Sequence, residues 1–560
     1  MNNSFYYFTF FFFLVSINSY SQQLKLKIYS KDSLQGEFLK EINYKKEQLD
    51  STSIIKELEL INLNLKKIGF LNNKMLYLKK TDTLYSAVFN LNNKFEKIRI
   101  NLSKDLKTFL NSNNSNYTYN KKYIELDWNK TPLFLNELVL FFEQNGNSFA
   151  QVYLKNITLN DNHAVADIYI TKNISRTIDK IIVKGYSKFP KKYISNHLDI
   201  KLNGKFNTGK LALISKNIKT ISFVEEIKKP QTLFTKDSTL IYIYLKKKRA
   251  NRFDGLVGFS SNKNNSNLDF EGYLNIQLNN IFNSGEQLKL LWQSNANQNK
   301  KLELEIETPY IFNSKFTPRA LLDIYNQDST FINITSLLSI DYKLKNNTSL
   351  GGVIESRNAT DLTKSTLSNN ISNFSSFFYG INYNYKTLTN HVLFPVKHHL
   401  SISTLFGTRK SLNNTKKQQK INLNSSYSYL ITSKHSVSLK NSSSALISDN
   451  YIDNELFRIG GAKSIRGFQE NSILSTVHSI FSLEYRLSTN KSSYIYSITD
   501  YAYNYNKSSN IKTNLFSLGL GYAFTTKAGL LNLSYALGKT NTSPFNFNDA
   551  TLHLNLITFF

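Results

Sequence analysis

One glycine-rich stretch in the last fifth of the sequence carries the residues best suited to specific chemistry. Residues 458–470 read RIGGAKSIRGFQE, a composition that favours neither helix nor strand. Arg466 and Phe468 are large side chains that are costly to leave without a docking place. Three glycines give the backbone here unusual freedom: Gly460, Gly461 and Gly467. An arginine can bind a carboxylate through two parallel hydrogen bonds, so the chemistry that this stretch could supply is ion pairing. Taken alone, the stretch fits an ordinary surface loop equally well.

The rest of the sequence offers no catalytic constellation. It contains no cysteine, which excludes disulfides, thiolate metal sites and cysteine nucleophiles. It also lacks a G-x-S-x-G motif, an H-E-x-x-H motif and a phosphate-binding loop. The eight histidines are scattered, and the pair His398-His399 is interpreted as loop rather than ligand. We therefore expect no enzyme, no catalytic residue, no metal and no cofactor.

The net charge of +29 would usually suggest nucleic acid or an anionic membrane surface as a partner. Here the lysines are mixed with many asparagines and serines and form no compact basic cluster. A compositional bias explains the charge at least as well, and no nucleic-acid partner is expected. Aromatic residues make up 14% of the chain while the mean hydropathy is −0.34. That combination suits a transmembrane barrel, whose strands show lipid only every second residue.

The first 21 residues read as a secretory signal. An apolar run from Phe5 to Ile17 is followed by Ser19-Tyr20-Ser21, which predicts cleavage before Gln22. The residues before the apolar run include no lysine or arginine, which a signal peptide usually has there. A membrane anchor is the alternative, but the run is too short to span a bilayer comfortably. No later stretch reaches about 18 apolar residues. The sequence therefore predicts an exported protein that can enter a membrane only as a barrel.

Residues 22–250 alternate between strand and helix patterns in three similar units, predicted as 22–93, 94–173 and 174–250. In the third, a strand at Ile178–Lys184 precedes helices at Pro190–Leu198 and Thr208–Ser222 and two further strands. This order, strand-helix-helix-strand-strand, resembles the POTRA domain. Three small α+β domains of no particular kind are the alternative. A short sheet of this kind has an edge strand to which an extended segment can add by main-chain hydrogen bonds.

From residue 251 onward, period-two alternation replaces helical periodicity. In Lys301–Glu307 (KLELEIE) and Ser517–Phe524 (SLGLGYAF), apolar residues fall on one face and polar or small residues on the other. A soluble β-sandwich also alternates, but export, aromatic content and length favour a membrane barrel. At about ten residues per spanning strand plus a comparable connection, 251–560 holds roughly sixteen antiparallel strands. The terminal Phe560, after alternating leucines, is similar to the C-terminal sorting signal of outer-membrane barrels.

The stretch RIGGAKSIRGF, the alternating strands after it and the aromatic terminus together resemble the BamA/TamA-like outer-membrane assembly superfamily, which includes two-partner secretion transporters. Supporting fragments are NRFDGLVGF at 251–259, NIFNSGE at 280–286, ETPY at 307–310 and NHVLFP at 390–395. The resemblance implies an all-β transmembrane barrel in the outer membrane, preceded by three POTRA-like α+β domains in the periplasm.

The resemblance also implies that the loop carrying Arg466, Gly467 and Phe468 folds back into the barrel lumen. Its arginine would contact an acidic residue on the inner wall, with Asp500 the first expected partner and Glu484 the second. Alternation in FSLEYRL (481–487) places Glu484 inside. For Asp500 the pattern is ambiguous, because Tyr496 and Ile498 share its parity. A solvated lumen acid is the alternative for Asp500.

By the same resemblance, the expected function is assembly of outer-membrane barrels. The modules would collect unfolded precursors, and a seam between Phe253–Ser260 and Leu552–Phe560 would open to template client strands. The expected seam residues are Phe253, Gly255, Gly258, Leu556 and Phe560, with the two glycines weakening strand pairing. Expected partners are unfolded precursors, outer-membrane lipid and accessory assembly proteins. The alternative is a two-partner-secretion-type transporter that exports one polypeptide through the lumen; a passive porin would have no use for the modules.

Overall fold

The computed structural model describes residues 23–560 except 41, 113–116, 161–162, 173, 262–267, 295–298, 364–369, 390, 392, 413 and 528. The predicted signal, 1–21, lies outside the described residues. Two compact units divide the chain. The first, Met1–Thr177 with Lys205–Thr208, contains two small α+β modules. The second, Ile178–Gly204 with Gly209–Phe560, contains a third module and a barrel.

Module 1 is a four-stranded sheet, in the order β2-β1-β4-β3, packed against two helices. The longer helix, α2, begins after Asp50, whose carboxylate accepts a hydrogen bond from the Ser53 backbone N–H at 2.7 Å. Its apolar residues recur at helical spacing and are buried against the sheet. The elements are β1 Leu24–Ser30, α1 Ser33–Lys40, β2 Glu47–Gln48, α2 Ser51–Lys67, β3 Lys74–Thr81 and β4 Leu84–Asn90.

Module 2 repeats this plan with the sheet order β6-β5-β8-β7. Phe109 and Phe134 fill its core with ring centroids 5.9 Å apart in an edge-to-face arrangement. Modules 1 and 2 each carry a short strand between their helices, β2 and β6, which the sequence pattern did not predict. The elements are β5 Lys97–Asn101, α3 Lys104–Ser112, β6 Tyr123–Asp127, α4 Thr131–Gln144, β7 Gln151–Asn160 and β8 His163–Thr171.

Module 3 has the predicted strand-helix-helix-strand-strand order and a three-stranded sheet, β10-β11-β9. Both helices are shorter than predicted. The first ends before His197, and Asp199 takes a left-handed backbone conformation at φ +54° that no continuing helix allows. The elements are β9 Lys180–Lys184, α5 Lys191–Asn196, α6 Thr208–Ile218, β10 Val224–Phe234 and β11 Thr239–Lys247.

The remaining chain forms a closed antiparallel barrel of sixteen strands, which confirms the predicted fold class. Neighbouring strands pair in sequence order, and β12 pairs with β29 to close the wall. Eleven strands precede an inward loop: β12 Arg252–Ser261, β13 Leu268–Asn279, β14 Gln287–Ser294, β15 Lys300–Glu307, β16 Phe316–Gln327, β17 Phe331–Lys345, β18 Thr348–Asp361, β19 Phe374–Leu388, β20 Val396–Ser411, β21 Asn414–Leu430 and β22 His435–Ser448. The loop holds β23 Phe457–Ile459 and β24 Ile473–Ser475, and five strands follow: β25 Val477–Asn490, β26 Ser493–Asn506, β27 Ile511–Thr525, β28 Leu530–Thr540 and β29 Thr551–Phe559.

The two faces of the wall differ in chemistry. Large apolar side chains on the outer face remain exposed, among them Ile340, Tyr379, Ile381, Phe481 and Leu520. Charged and polar side chains on the inner face are buried in the lumen, among them Glu305, Glu355, Arg409, Glu484 and Asp500. An apolar outside and a polar inside are what a barrel wall in lipid requires. Among the described helices, none is both long and apolar enough to cross a bilayer.

Module 3 is fastened to the adjacent barrel turns by buried hydrogen bonds. The Tyr193 hydroxyl donates to the Gly285 carbonyl at 3.1 Å, and the Asn280 amide donates to the Tyr186 hydroxyl at 2.8 Å. The two ring nitrogens of His197 lie 2.8 Å from the Tyr310 hydroxyl and 2.7 Å from the Thr220 hydroxyl. Because both nitrogens are engaged and the ring is buried, this junction holds a neutral histidine.

We expect the junction to weaken in mild acid. Burial lowers the pKa of His197 from 6.5 to about 4. A released His197 would bind a proton at its ordinary pKa, so junction stability is full above pH 6.5 and is lost as pH falls towards 4. The full difference is about 3 kcal/mol at 1.36 kcal/mol per pKa unit. Hydrogen exchange of residues 191–198, corrected for intrinsic rates, should show protection falling between pH 7.5 and 5. In His197→Gln, protection should not change with pH; equal pH dependence in the variant would contradict this assignment.

Candidate functional site: an arginine-tipped loop and the barrel seam

The predicted functional stretch lies in a long connection between β22 and β25. Because the strands alternate in direction from β12, which starts beside module 3, this connection leaves the barrel at the opposite end. It then turns inward, and Arg466 at its tip is buried, with 9% of its surface exposed. The short strands β23 and β24 pair through Phe457–Ser475, Arg458–Leu474 and Ile459–Ile473 and stiffen its base. The structure thus places 458–470 in the lumen, not on the outer surface.

Arg466 contacts both carboxylates that the sequence singled out. Its Nε donates to Asp500 Oδ2 at 2.8 Å and its Nη2 to Asp500 Oδ1 at 2.6 Å, a two-bond fork. Its Nη1 donates to Glu484 Oε1 at 2.7 Å. The backbone N–H of Arg466 adds a fourth bond, to Asp500 Oδ2 at 3.1 Å. The side chain of Asp500 is fully buried, so the guanidinium is its compensating charge.

Glu484 joins the tip to other wall cations. Its Oε2 accepts from Arg486 Nε at 2.9 Å and Nη2 at 2.6 Å, while Lys440 Nζ lies 3.7 Å from Oε1. The guanidinium of Arg486 also lies over the Phe394 ring, 4.8 Å from its centroid. Glu484 therefore keeps charge partners without Arg466, whereas among the described residues Asp500 forms an ion pair with Arg466 alone.

The structure shows on which face of β26 the Asp500 side chain lies. Asp500, Tyr496 and Ile498 all point into the lumen, as their shared parity requires. Tyr496 and Ile498 pack there against Ala536 of β28, so they need no lipid contact. Alternation alone left Asp500 ambiguous because it could not show that the lumen contains a packed apolar patch.

The loop tip is fitted against β28. Ile465 is fully buried with Ile459, Ile480, Ala502 and Leu515, and Phe468 packs on this cluster. Gly467 has φ +77°, and a Cβ at this position would lie 2.6 Å from the Leu537 carbonyl carbon and 2.7 Å from the Gly538 nitrogen. Gly460 and Gly461 also have positive φ, of +115° and +96°. The three glycines permit the tight turns that present Arg466 to the wall.

We expect Gly467→Ala to lift the loop tip from the wall. The left-handed backbone costs an alanine about 1–2 kcal/mol, and the added methyl meets main-chain atoms that cannot move aside. Function that depends on the docked tip should fall by about tenfold. Gly352→Ala in β18 is the control, because a Cβ there meets nothing within 4 Å. Equal activity of the two variants in the same assay would count against close packing of the tip.

The seam between β12 and β29 is the shortest pairing in the wall. Three pairs are made: Arg252–Phe559, Phe253–Thr558 and Asp254–Ile557. By comparison, β29 pairs with β28 at seven positions and β12 with β13 at ten. Net stabilisation per hydrogen bond is about 0.5–1.5 kcal/mol, so the seam is held by only a few kcal/mol. The wall is therefore closed but weakest at this point.

The predicted seam residues divide into two groups. Phe253 takes part in the pairing, and the Phe560 backbone N–H donates to the Asn251 carbonyl at 3.0 Å beside it. Gly255, Gly258 and Leu556 lie beyond the paired stretch: the glycines face Leu274 and Glu271 of β13, and Leu556 faces Leu531 of β28. At one side of the gap, the Tyr273 hydroxyl of β13 lies 2.8 Å from Asp254 Oδ1 of β12 and 2.9 Å from Asn555 Oδ1 of β29, so its single proton is shared between the two strands.

The arrangement can hold and release a loop or a strand. In the described part of the chain, no three His, Asp or Glu side chains group as metal ligands. A second buried charge cluster, around Glu455, was missed by sequence reasoning. The acidic run DNE at 453–455 just before the glycine stretch was its only signal, since its partners lie on distant strands.

No protein-family model matches the sequence, and no curated protein matches it significantly. Solved structures do match. CdiB from Acinetobacter baumannii aligns with 83% of this chain and 90% of its own at 14% identity and a TM-score of 0.54. CdiB from Escherichia coli aligns over 90% and 97% at 11% identity and a TM-score of 0.52. BamA from Haemophilus ducreyi lacking POTRA domains 1–3 aligns over 83% and 99% at 14% identity, with a TM-score of 0.46. The CdiB matches confirm the predicted resemblance at the level of the fold.

Proposed function

We propose that this chain, which shares the fold of CdiB, is an outer-membrane factor that inserts or translocates polypeptides, with barrel assembly as its main activity. Its modules lie in the periplasm and receive unfolded precursors, and the barrel seam passes client strands into lipid. The proposal needs no energy source, no cofactor and no catalytic residue. Its partners are precursor polypeptides, outer-membrane lipid and accessory assembly proteins.

The observation that carries this proposal is the three-pair seam beside a loop tip docked on β28. A strand enters hydrocarbon at low cost only if its backbone groups are already paired. Opening the seam breaks few hydrogen bonds and frees the edges of β12 and β29 as templates for a client strand. The apolar outer face keeps the rest of the wall in the bilayer while the seam opens.

The modules supply further strand edges. The three sheets end in β2 and β3, in β6 and β7, and in β9 and β10. On β3, the exposed side chains of Met75, Leu76 and Tyr77 accompany three lysines, Lys74, Lys79 and Lys80. Lysines on an edge discourage self-association while leaving the main chain able to pair. A client segment added to this edge would gain main-chain hydrogen bonds and apolar contacts together.

Depletion of the protein in its native host, followed by outer-membrane proteomics, tests the proposal. General loss of outer-membrane barrels supports assembly, and loss of a single secreted polypeptide supports translocation. An unchanged outer membrane and secretome would overturn both.

The second candidate is a transporter of the two-partner-secretion type. The observation in its favour is a lumen lined with charge pairs, such as Lys289–Glu305 at 2.6 Å and Lys420–Glu355 at 2.8 Å, which suits passage of a hydrated polypeptide. The docked loop occupies that lumen, so export would require it to move. A transporter should therefore conduct ions more strongly when the Arg466 contacts are removed, whereas seam-based insertion does not depend on an open pore.

A further inference from the structure

A second buried ion pair lies at the base of the inward loop, with the opposite polarity to the first. At the tip the loop supplies the cation; at the base it supplies the anion, Glu455, which pairs with Arg409 of β20. The side chains of both residues are 3% exposed. Gln418 of β21 donates to Glu455 Oε2 at 2.9 Å, and the Ile452 backbone N–H donates to Oε1 at 3.0 Å. The carboxylate is thus held by three donors.

The backbone around Glu455 is held to the same side of the barrel. Arg357 Nη1 of β18 donates to the Glu455 carbonyl at 3.0 Å, and the Asn333 amide of β17 donates to the Asn454 carbonyl at 2.7 Å. The Asn454 amide donates to the Ser372 carbonyl at 2.9 Å. These contacts are dense and specific, and they position the chain before it reaches the glycine stretch.

The two ion pairs fix the loop to two different sectors of the wall, with β22 between them. The base contacts β17, β18, β20 and β21, which precede the loop in the barrel order. The tip contacts β25, β26 and β28, which follow it and lead to the seam. Between them, the Arg458 guanidinium lies 5.6 Å and 5.3 Å from the Tyr325 and Phe331 ring centroids. The loop therefore spans the lumen and is held at more than one point of the wall.

We propose that Glu455 is a positioning residue, a second anchor that sets where the Arg466 tip meets β28. A chain held at one point can pivot, whereas one held at two points on different strands has a fixed register. A buried ion pair of this kind contributes more to a unique geometry than to net stability, because desolvation offsets most of the attraction. The effect of the anchor on insertion rests on the proposed function; its effect on loop position does not.

The test uses the full-length protein in detergent micelles, where the absence of natural cysteines allows clean labelling. Nitroxide labels at Lys463→Cys in the loop and Thr542→Cys, exposed after β28, report the tip position by electron spin resonance distance measurement. We expect one narrow distance distribution in the otherwise unchanged protein. Glu455→Gln, which leaves the buried Arg409 without a charge partner, should at least double its width. Glu455→Gln with Arg409→Gln removes the unpaired charge as well as the anchor, so the distribution should stay broad.

Glu305→Gln is the matched control. Glu305 is a buried lumen carboxylate whose ion-pair partners among the described residues, Lys289 at 2.6 Å and Arg319 at 3.8 Å, both lie on the wall and not on the loop. Its variant should leave the distance unchanged. If Glu455→Gln does not fold, Gln418→Ala removes one donor, keeps both charges and should broaden the distribution to a smaller extent. Distances in the Glu455 and Gln418 variants equal to those of Glu305→Gln would overturn the anchor.

Insertion activity separates the anchor from the proposed function. A displaced tip in Glu455→Gln, seen as the broadened distance distribution, together with at least a threefold loss of precursor insertion supports both the anchor and the assembly function. A displaced tip in a protein that never promoted insertion leaves the anchor standing and overturns the assembly function. An undisplaced tip overturns the anchor whatever the activity.

Discussion

Arg466→Ala should leave the barrel folded in the membrane and reduce its activity by at least tenfold. The sixteen-strand closure does not involve Arg466, so the protein should still migrate as a folded barrel. The docked loop, however, loses the three hydrogen bonds of the guanidinium and leaves the fully buried Asp500 carboxylate without its cation. Breaking a buried pair in this way costs about 3–5 kcal/mol, more than enough to undock a loop.

Two further variants sharpen this prediction. Arg466→Lys keeps the charge, but a lysine cannot bind Asp500 through two parallel hydrogen bonds and Glu484 at the same time. Its activity should therefore lie between that of Arg466→Ala and that of the unchanged protein. Arg319→Ala is the control. Arg319 is a lumen arginine on β16, and the carboxylate of its partner Glu305 lies 3.8 Å away. Activity is measured as the rate at which a urea-denatured barrel precursor folds into vesicles containing the variant. Full activity of Arg466→Ala would show that the loop contact has no role in function.

Covalent closure of the seam should abolish assembly. Phe253 and Thr558 face each other across β12 and β29. Facing residues of antiparallel strands have Cα atoms about 4.5–5.5 Å apart, within the range that a disulfide spans. In Phe253→Cys/Thr558→Cys, oxidation should lower the insertion rate to that of empty vesicles, because the strands can no longer separate. Reduction with dithiothreitol should restore it.

The control disulfide joins two strands that do not need to part. Leu533 and Leu554 face each other across β28 and β29, where seven pairs already hold the wall. Leu533→Cys/Leu554→Cys should be active in both redox states. If the seam disulfide formed fully and insertion continued, clients would not enter through this opening.

Alternation with a period of two was sufficient to predict strands and the inward position of Glu484, because strand geometry alone dictates which face a residue occupies. The choice of a barrel also needed the aromatic content and the export signal, and the strand number came from the length of 251–560. The parity of Asp500 stayed ambiguous, since alternation cannot tell an apolar lumen patch from lipid. The Glu455–Arg409 pair was out of reach for a different reason. Its members meet across the lumen, so no spacing in the sequence brings them together.

In the modules, the strand-helix-helix-strand-strand order of module 3 was predicted, whereas the two-residue β2 of module 1 was not. A strand that short is specified by its partner β1 and carries no pattern of its own. The burial of His197 was likewise invisible, because it depends on Tyr310 in a barrel turn. Properties set by local periodicity were predictable, and those set by contacts between distant segments were not.

The most direct measurement of the central claim is the folding rate of a urea-denatured barrel precursor into vesicles that hold the seam-cysteine variant, recorded before and after reduction. We predict acceleration over empty vesicles in the reduced state and none in the oxidised state. Equal acceleration in both states, or none in either, would contradict a factor that works by opening the β12–β29 seam.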